Sequence, residues 1–141
     1  MAGPLQVETL DRAAVYNAVI DEWSEGWQTV FRPSALYKAI NIATAANHKI
    51  IPGVSQKRIK IVSIFFTAAG EVNIIFYDGL LLKPELYVPI TGPMDFGGVS
   101  EPHGIVIPFP YVPLELTDGN DFIINLSAAV QVSGTVCYFY Q

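Results

Sequence analysis

The pattern of apolar and polar positions divides the chain near residue 35. From Ala35 onward, apolar side chains recur mostly with a period of two, the spacing that places them on one face of a strand. Strands are expected at Leu36–Ala43, Lys49–Ile51, Arg58–Thr67, Val72–Tyr77, Glu85–Ile90, Ile105–Ile107, Tyr111–Leu116, Phe122–Ser127 and Gly134–Tyr140. Turn chemistry bounds them: Pro52-Gly53, Ala69-Gly70, Asp78-Gly79, Gly92-Pro93, Gly97-Gly98, His103-Gly104 and Asp118-Gly119. Short strands at such spacing predict an all-β fold over residues 35–141, an antiparallel β-sandwich or jelly roll.

Two stretches refine this expectation. Ala68-Ala69-Gly70, between two strong strands, predicts a hairpin joining Arg58–Thr67 to Val72–Tyr77. Both strands are apolar on both faces: Ile59, Ile61 and Phe65 alternate with Val62, Ile64 and Phe66, and Val72, Ile74 and Phe76 with Ile75 and Tyr77. A two-layer sandwich buries one face of each sheet. Ile64, Phe66, Ile75 and Tyr77 are therefore expected at an interface, under the N-terminal segment or another subunit. The closing stretch from Thr117 to Gln141 predicts two more strands separated by a small-residue crossing. It carries no Lys, Arg, Asp or Glu from Phe122 on, so both strands can lie deep in a sheet.

Residues 1–34 read differently. From Asp11, a plausible N-cap, Ala14, Val15, Ala18, Val19 and Trp23 follow helical spacing until Gly26, and Pro33 blocks its resumption. Trp27, Val30 and Phe31 follow on a short connector. This segment is expected to be an N-terminal arm, partly helical or extended, with Trp23, Trp27 and Phe31 as its contact residues; the alternative is a helix capping one end of the sandwich. In 84–113, seven prolines predict edge strands and ordered loops, because proline cannot donate to a ladder.

Composition adds a reason to expect assembly. Of the 141 residues, 51% are hydrophobic and 15% charged, against an ordinary charged share of about 25%. Such a surplus of apolar side chains commonly ends in subunit contacts, so a homo-oligomer (dimer or trimer) or a component of a larger assembly is expected. The net charge of −5 is segregated: residues 1–25 carry five acids and one Arg, 26–70 six bases and no acid, and 71–141 eight acids and Lys83 alone. No basic cluster is interleaved with aromatics as nucleic-acid binding requires, so no nucleic acid is expected. No apolar run reaches the length of a membrane helix, and the opening MAGPLQVETLDR lacks the regions of a secretory signal. Production in a cytoplasm is expected, with no membrane partner.

Candidate chemistry is sparse. Cys137 sits in mid-strand and reads as a buried inert thiol. His48 and His103 lack partners at metal-ligand spacing, and Asp118-Gly119-Asn120-Asp121 is too short for a calcium loop and reads as a hairpin or loop turn. There is no phosphate-binding glycine loop leading into a helix and no nucleophile elbow. The expectation is a non-enzymatic protein with no catalytic residues, no metal and no cofactor.

Three blocks carry a family likeness: KRIKIVSIFFTAAGEVNIIFYDG (57–79), LYVPITGPMDFGG (86–98) and LELTDGNDFIINLSAAVQVSGTVCYFYQ (114–141). Together they resemble the capsid decoration, or cement, proteins of tailed bacteriophages, small jelly-roll-like sandwiches. The resemblance spans about residues 38–141 and omits the first 34. It implies a structural virion protein on the capsid surface, made in the host cytoplasm, with the major capsid protein as partner. A receptor- or glycan-binding tail, fibre or vertex appendage is the alternative, in which exposed Tyr87, Tyr111 and the Trp side chains would stack on sugars.

Overall fold

A computed structural model describes residues 35–141, so the expectations for the arm, including Trp23, Trp27 and Phe31, lie outside the described residues. The described chain forms ten strands: β1 (Leu36–Ile42), β2 (Asn47–Ile51), β3 (Ile59–Ala68), β4 (Val72–Gly79), β5 (Val88–Pro89), β6 (Met94–Phe96), β7 (Gly104–Pro108), β8 (Leu114–Glu115), β9 (Asp121–Leu126) and β10 (Val132–Tyr140). Sheet A runs β1-β10-β3-β7, with β8 also on β3; sheet B runs β2-β9-β4-β5, with β6 also on β4. Every recorded pairing is antiparallel. With β5 and β6 sharing one edge, and β7 and β8 another, the chain crosses between two four-position sheets at every step except from β4 to β5–β6, which stay in sheet B. That is the double-sheet jelly roll.

This alternation overturns the predicted hairpin. β3 lies in sheet A and β4 in sheet B, so Ala68-Ala69-Gly70 is a crossing between layers. The Ala68 N–H donates to His103 O at 2.8 Å and the Ala69 N–H to Gln131 O at 2.9 Å, so the turn is held by other loops and not by its own flanks. The Thr117–Asp121 turn likewise links sheet A to sheet B, and is a loop turn and not a hairpin. Proline behaves as expected: Pro89 and Pro108 sit in edge strands, and Pro84–Leu86 forms a single 3-10 turn where a strand from Glu85 was expected.

The doubly apolar look of β3 has a geometric cause. Cys137 pairs with Ser63 but Tyr138 with Ile61, so Val62 is an extra residue in the ladder. A bulge of this kind reverses which parity faces inward. Before it Ile59 and Ile61 face the core, and after it Ile64, Phe66 and Ala68 do; all five are buried. Ile64 and Phe66 are therefore core residues and not an outer face, which corrects the sequence expectation for both. Phe66 meets Phe76 and Phe96 edge-to-face, with centroids 6.1 and 5.0 Å apart, and Phe76 meets Phe122 at 5.3 Å. In β4, Val72, Ile74 and Phe76 face inward, whereas Ile75 and Tyr77 stay half-buried on the outer side.

Candidate functional site

The outer face of sheet A is built by register. Tyr37, Cys137, Ser63 and Pro108 form one row across β1, β10, β3 and β7. Ala39, Thr135, Phe65 and Val106 form the next, and Asn41, Ser133, Thr67 and Gly104 the third. None of these twelve outward positions carries a charge. Tyr37 and Val106 are each 73% exposed and Phe65 48%. Depletion of charge around exposed aromatic and aliphatic groups is the composition of an interface centre. Cys137 belongs to this face and is half-buried, not buried as expected.

Polar groups frame the two ends of the face. At one end the Gln131 side-chain amide donates to Asn41 Oδ1 at 2.8 Å and to Ser133 Oγ at 3.0 Å. At the other, Glu115 accepts from Arg58 Nη1 at 2.9 Å and lies 3.4 Å from Lys60 Nζ. The hydrogen bond from Arg58 holds the Glu115 carboxyl below its usual range, against the opposing effect of burial and with Lys60 adding to the lowering. Between β7 and β8, residues 109–113 arch away from β3 opposite the bulged Val62, whose carbonyl accepts the Phe109 N–H at 2.9 Å. The arch carries Tyr111 and Val112, and Tyr111 is 93% exposed. Pro110 and Pro113 stiffen it by fixing φ.

A second feature joins the loops at one end of the sandwich. Asp78 and Asp121 are both buried carboxylates. Asp121 accepts the Gly53 N–H at 2.7 Å and the Leu81 N–H at 3.1 Å. Asp78 accepts from the Thr117 N–H at 2.9 Å, the Thr117 hydroxyl at 2.8 Å and the Asn120 side-chain amide at 2.9 Å. Gly53 has no room for a side chain: an added Cβ would lie 2.2 Å from Gly119 O, so the two turns pass in direct contact. The acidic turn thus acts as a clasp, its oxygens engaged by loop donors. Nearby, the Tyr87 hydroxyl donates to Leu81 O at 2.7 Å, and burial, with the charges of Asp121 and Glu85, pushes its phenol above the ordinary value.

A cleft of about 360 Å³ opens beside sheet B, lined by Glu71, Val72, Asn73, Asp95, Glu101 and Ser127. Its wall is already cross-linked: the Asn73 side-chain amide donates to Asp95, and the Asn73 N–H to Ser127 Oγ at 2.8 Å. Among the described residues no three His, Cys, Asp or Glu side chains converge as metal ligands, and no helix is long and apolar enough to cross a membrane.

Of the sequence-derived contact residues in 35–141, the structure brings Ile75 and Tyr77 to the outer side of sheet B, where the Tyr77 ring lies 5.1 Å from that of Tyr87. Tyr87 is half-buried there, leaving Tyr111 as the exposed tyrosine of the two named for sugar stacking. The sequence reading missed Tyr37, Phe65 and Val106. The signal for Phe65 was present in Lys60, Ser63 and Thr67, polar residues that share its outward side once Val62 is taken as an insertion.

No protein-family model and no curated protein matches the chain. Among solved structures it is similar to the nucleoplasmin-like N-terminal domain of Drosophila FKBP39, at 11% identity, 76% of this chain, 90% of that chain and TM-score 0.40. It is similar also to the virus-like particle protein of giant freshwater prawn Macrobrachium rosenbergii extra small virus, at 13% identity, 74% and 76% coverage and TM-score 0.39. A third likeness is to the cyanophage Pam1 capsid asymmetric unit, at 10% identity, 74% and 82% coverage and TM-score 0.38. At these TM-scores and identities the three likenesses assign no function.

Proposed function

We propose that the protein is a non-enzymatic structural component of a phage virion that decorates and stabilises the capsid by binding across major capsid protein subunits. The observation that carries this reading is the set of three charge-free rows on the outer face of sheet A, with Tyr37, Phe65 and Val106 exposed in them. A surface with no charged side chain over three rows of four strands is costly to leave in water and suited to a broad, flat partner. The blocks at 57–79, 86–98 and 114–141 add the resemblance to cement proteins of tailed phages, such as that of a short-tailed Bordetella phage. Many copies, each weakly bound, hold a shell through their combined contacts.

Gel quantification of purified virions tests the role. Hundreds of copies per particle are expected; a handful would instead favour a receptor- or glycan-binding appendage, to which the polar cleft near Asp95 and Glu101 lends itself. The arm has its own test. Deleting residues 1–34 is expected to abolish decoration of shells while the sandwich keeps its cooperative melt. Full decoration by the truncated chain would remove the arm from the binding mechanism.

A further inference from the structure

The described sheets end in four edges: β1 and the β7–β8 line in sheet A, and β2 and the β5–β6 line in sheet B. Three are closed to another strand by their own sequence. The β7–β8 edge contains Pro108 and is broken by the arch with Pro110 and Pro113. The β5–β6 edge contains Pro89 and is split before Met94 by Pro93. β2 is short, loses register between Lys49 and Ile51, and exposes a lysine. Prolines, irregular register and edge lysines are the usual devices that stop sheets from adding strands.

β1 lacks most of these defences. Its seven residues, LYKAINI, contain no proline or glycine and pair with β10 in unbroken register from Leu36 to Ile42. Residues 36–39 and Asn41 are exposed. We propose that this edge pairs antiparallel with β1 of a second copy about a two-fold axis at Ala39, fusing two sheets A into one.

The sequence of β1 suits such self-pairing. With the axis at Ala39, the middle residue, all seven positions find partners. The small side chain meets its own copy, Tyr37 lies opposite Asn41, and Lys38 lies opposite Ile40. An axis at Lys38 would set two lysines face to face, which is unfavourable. Antiparallel pairing about an axis normal to the sheet also keeps both charge-free faces on one side. The joined face is then about 38 Å wide, eight strands at roughly 4.8 Å spacing. That the wide face spans a junction between shell subunits rests on the proposed function; the pairing itself does not.

Charge placed at the axis provides the test. Sedimentation velocity of the full chain at concentrations up to about 1 mM should show reversible dimers, because an edge contact alone is small. Ala39→Lys and Ala39→Glu, each at an exposed position, should each weaken self-association by roughly fivefold or more, and an equimolar mixture should recover it as the heterodimer. A parent chain that stays monomeric overturns the proposal, as do variants that associate like the parent or a mixture that fails to recover. A monomeric parent whose Ala39 variants lose shell decoration would assign the edge to a strand of the shell and leave the virion role standing. Failed decoration by a chain that still dimerises would do the reverse.

Discussion

Replacing Asp121 by alanine is expected to lower the melting temperature by roughly 10 °C, on the scale of about 3 kcal/mol. The carboxylate accepts the backbone N–H groups of Gly53 and Leu81, 68 and 40 residues distant in sequence. Its removal leaves both donors, each part-buried, without an acceptor, and an unsatisfied donor costs more than a mere lost bond. Asp121→Asn should be little better, since its amide NH2 would confront one of the two N–H groups. Asp118→Ala, at an exposed position of the same turn, should stay within about 0.5 kcal/mol of the parent. Thermal melts followed by circular dichroism separate these outcomes, and equal melts for Asp118→Ala and Asp121→Ala would refute the clasp.

Adjacent phenylalanines should give opposite results. Phe66→Ala is expected to cost about 4 kcal/mol, because it opens a cavity between Phe76 and Phe96 at the centre of the core. Denaturant unfolding should show the midpoint falling with the slope unchanged. Phe65→Lys should leave the midpoint nearly in place, since that ring is half exposed on the outer face of sheet A. Its effect should instead appear as loss of shell decoration, through a charge set in the middle of a charge-free surface. Full decoration by Phe65→Lys would remove this face from the contact.

These two residues also show how far the sequence could be read. Alternation made the strands legible, and the prolines of 84–113 made the edges legible. The inward side of β3 was not, because one inserted residue, Val62, shifts the parity and leaves no mark in composition. Pairing was hidden for a related reason. Small residues at 68–70 suit a hairpin as well as a crossing, and only the donors' distant partners, His103 and Gln131, decide between them. The charge-free face was invisible since its rows combine residues from four separated strands. Asp78 and Asp121 could be seen as turn-formers, but not as the acceptors for three other loops.

Pairing of the first described strand with the last, Leu36 opposite Tyr138, also governs when the fold can form during synthesis. β10 lies between β1 and β3, so sheet A has no centre until β10 itself has been made. Closing contacts across almost the whole domain is slow compared with local pairing, and translation proceeds at about 5–20 residues per second. A prematurely terminated chain therefore lacks the twelve-position face altogether. Only molecules that contain β10 can compete for a place in an assembly, a quality check imposed by strand order alone.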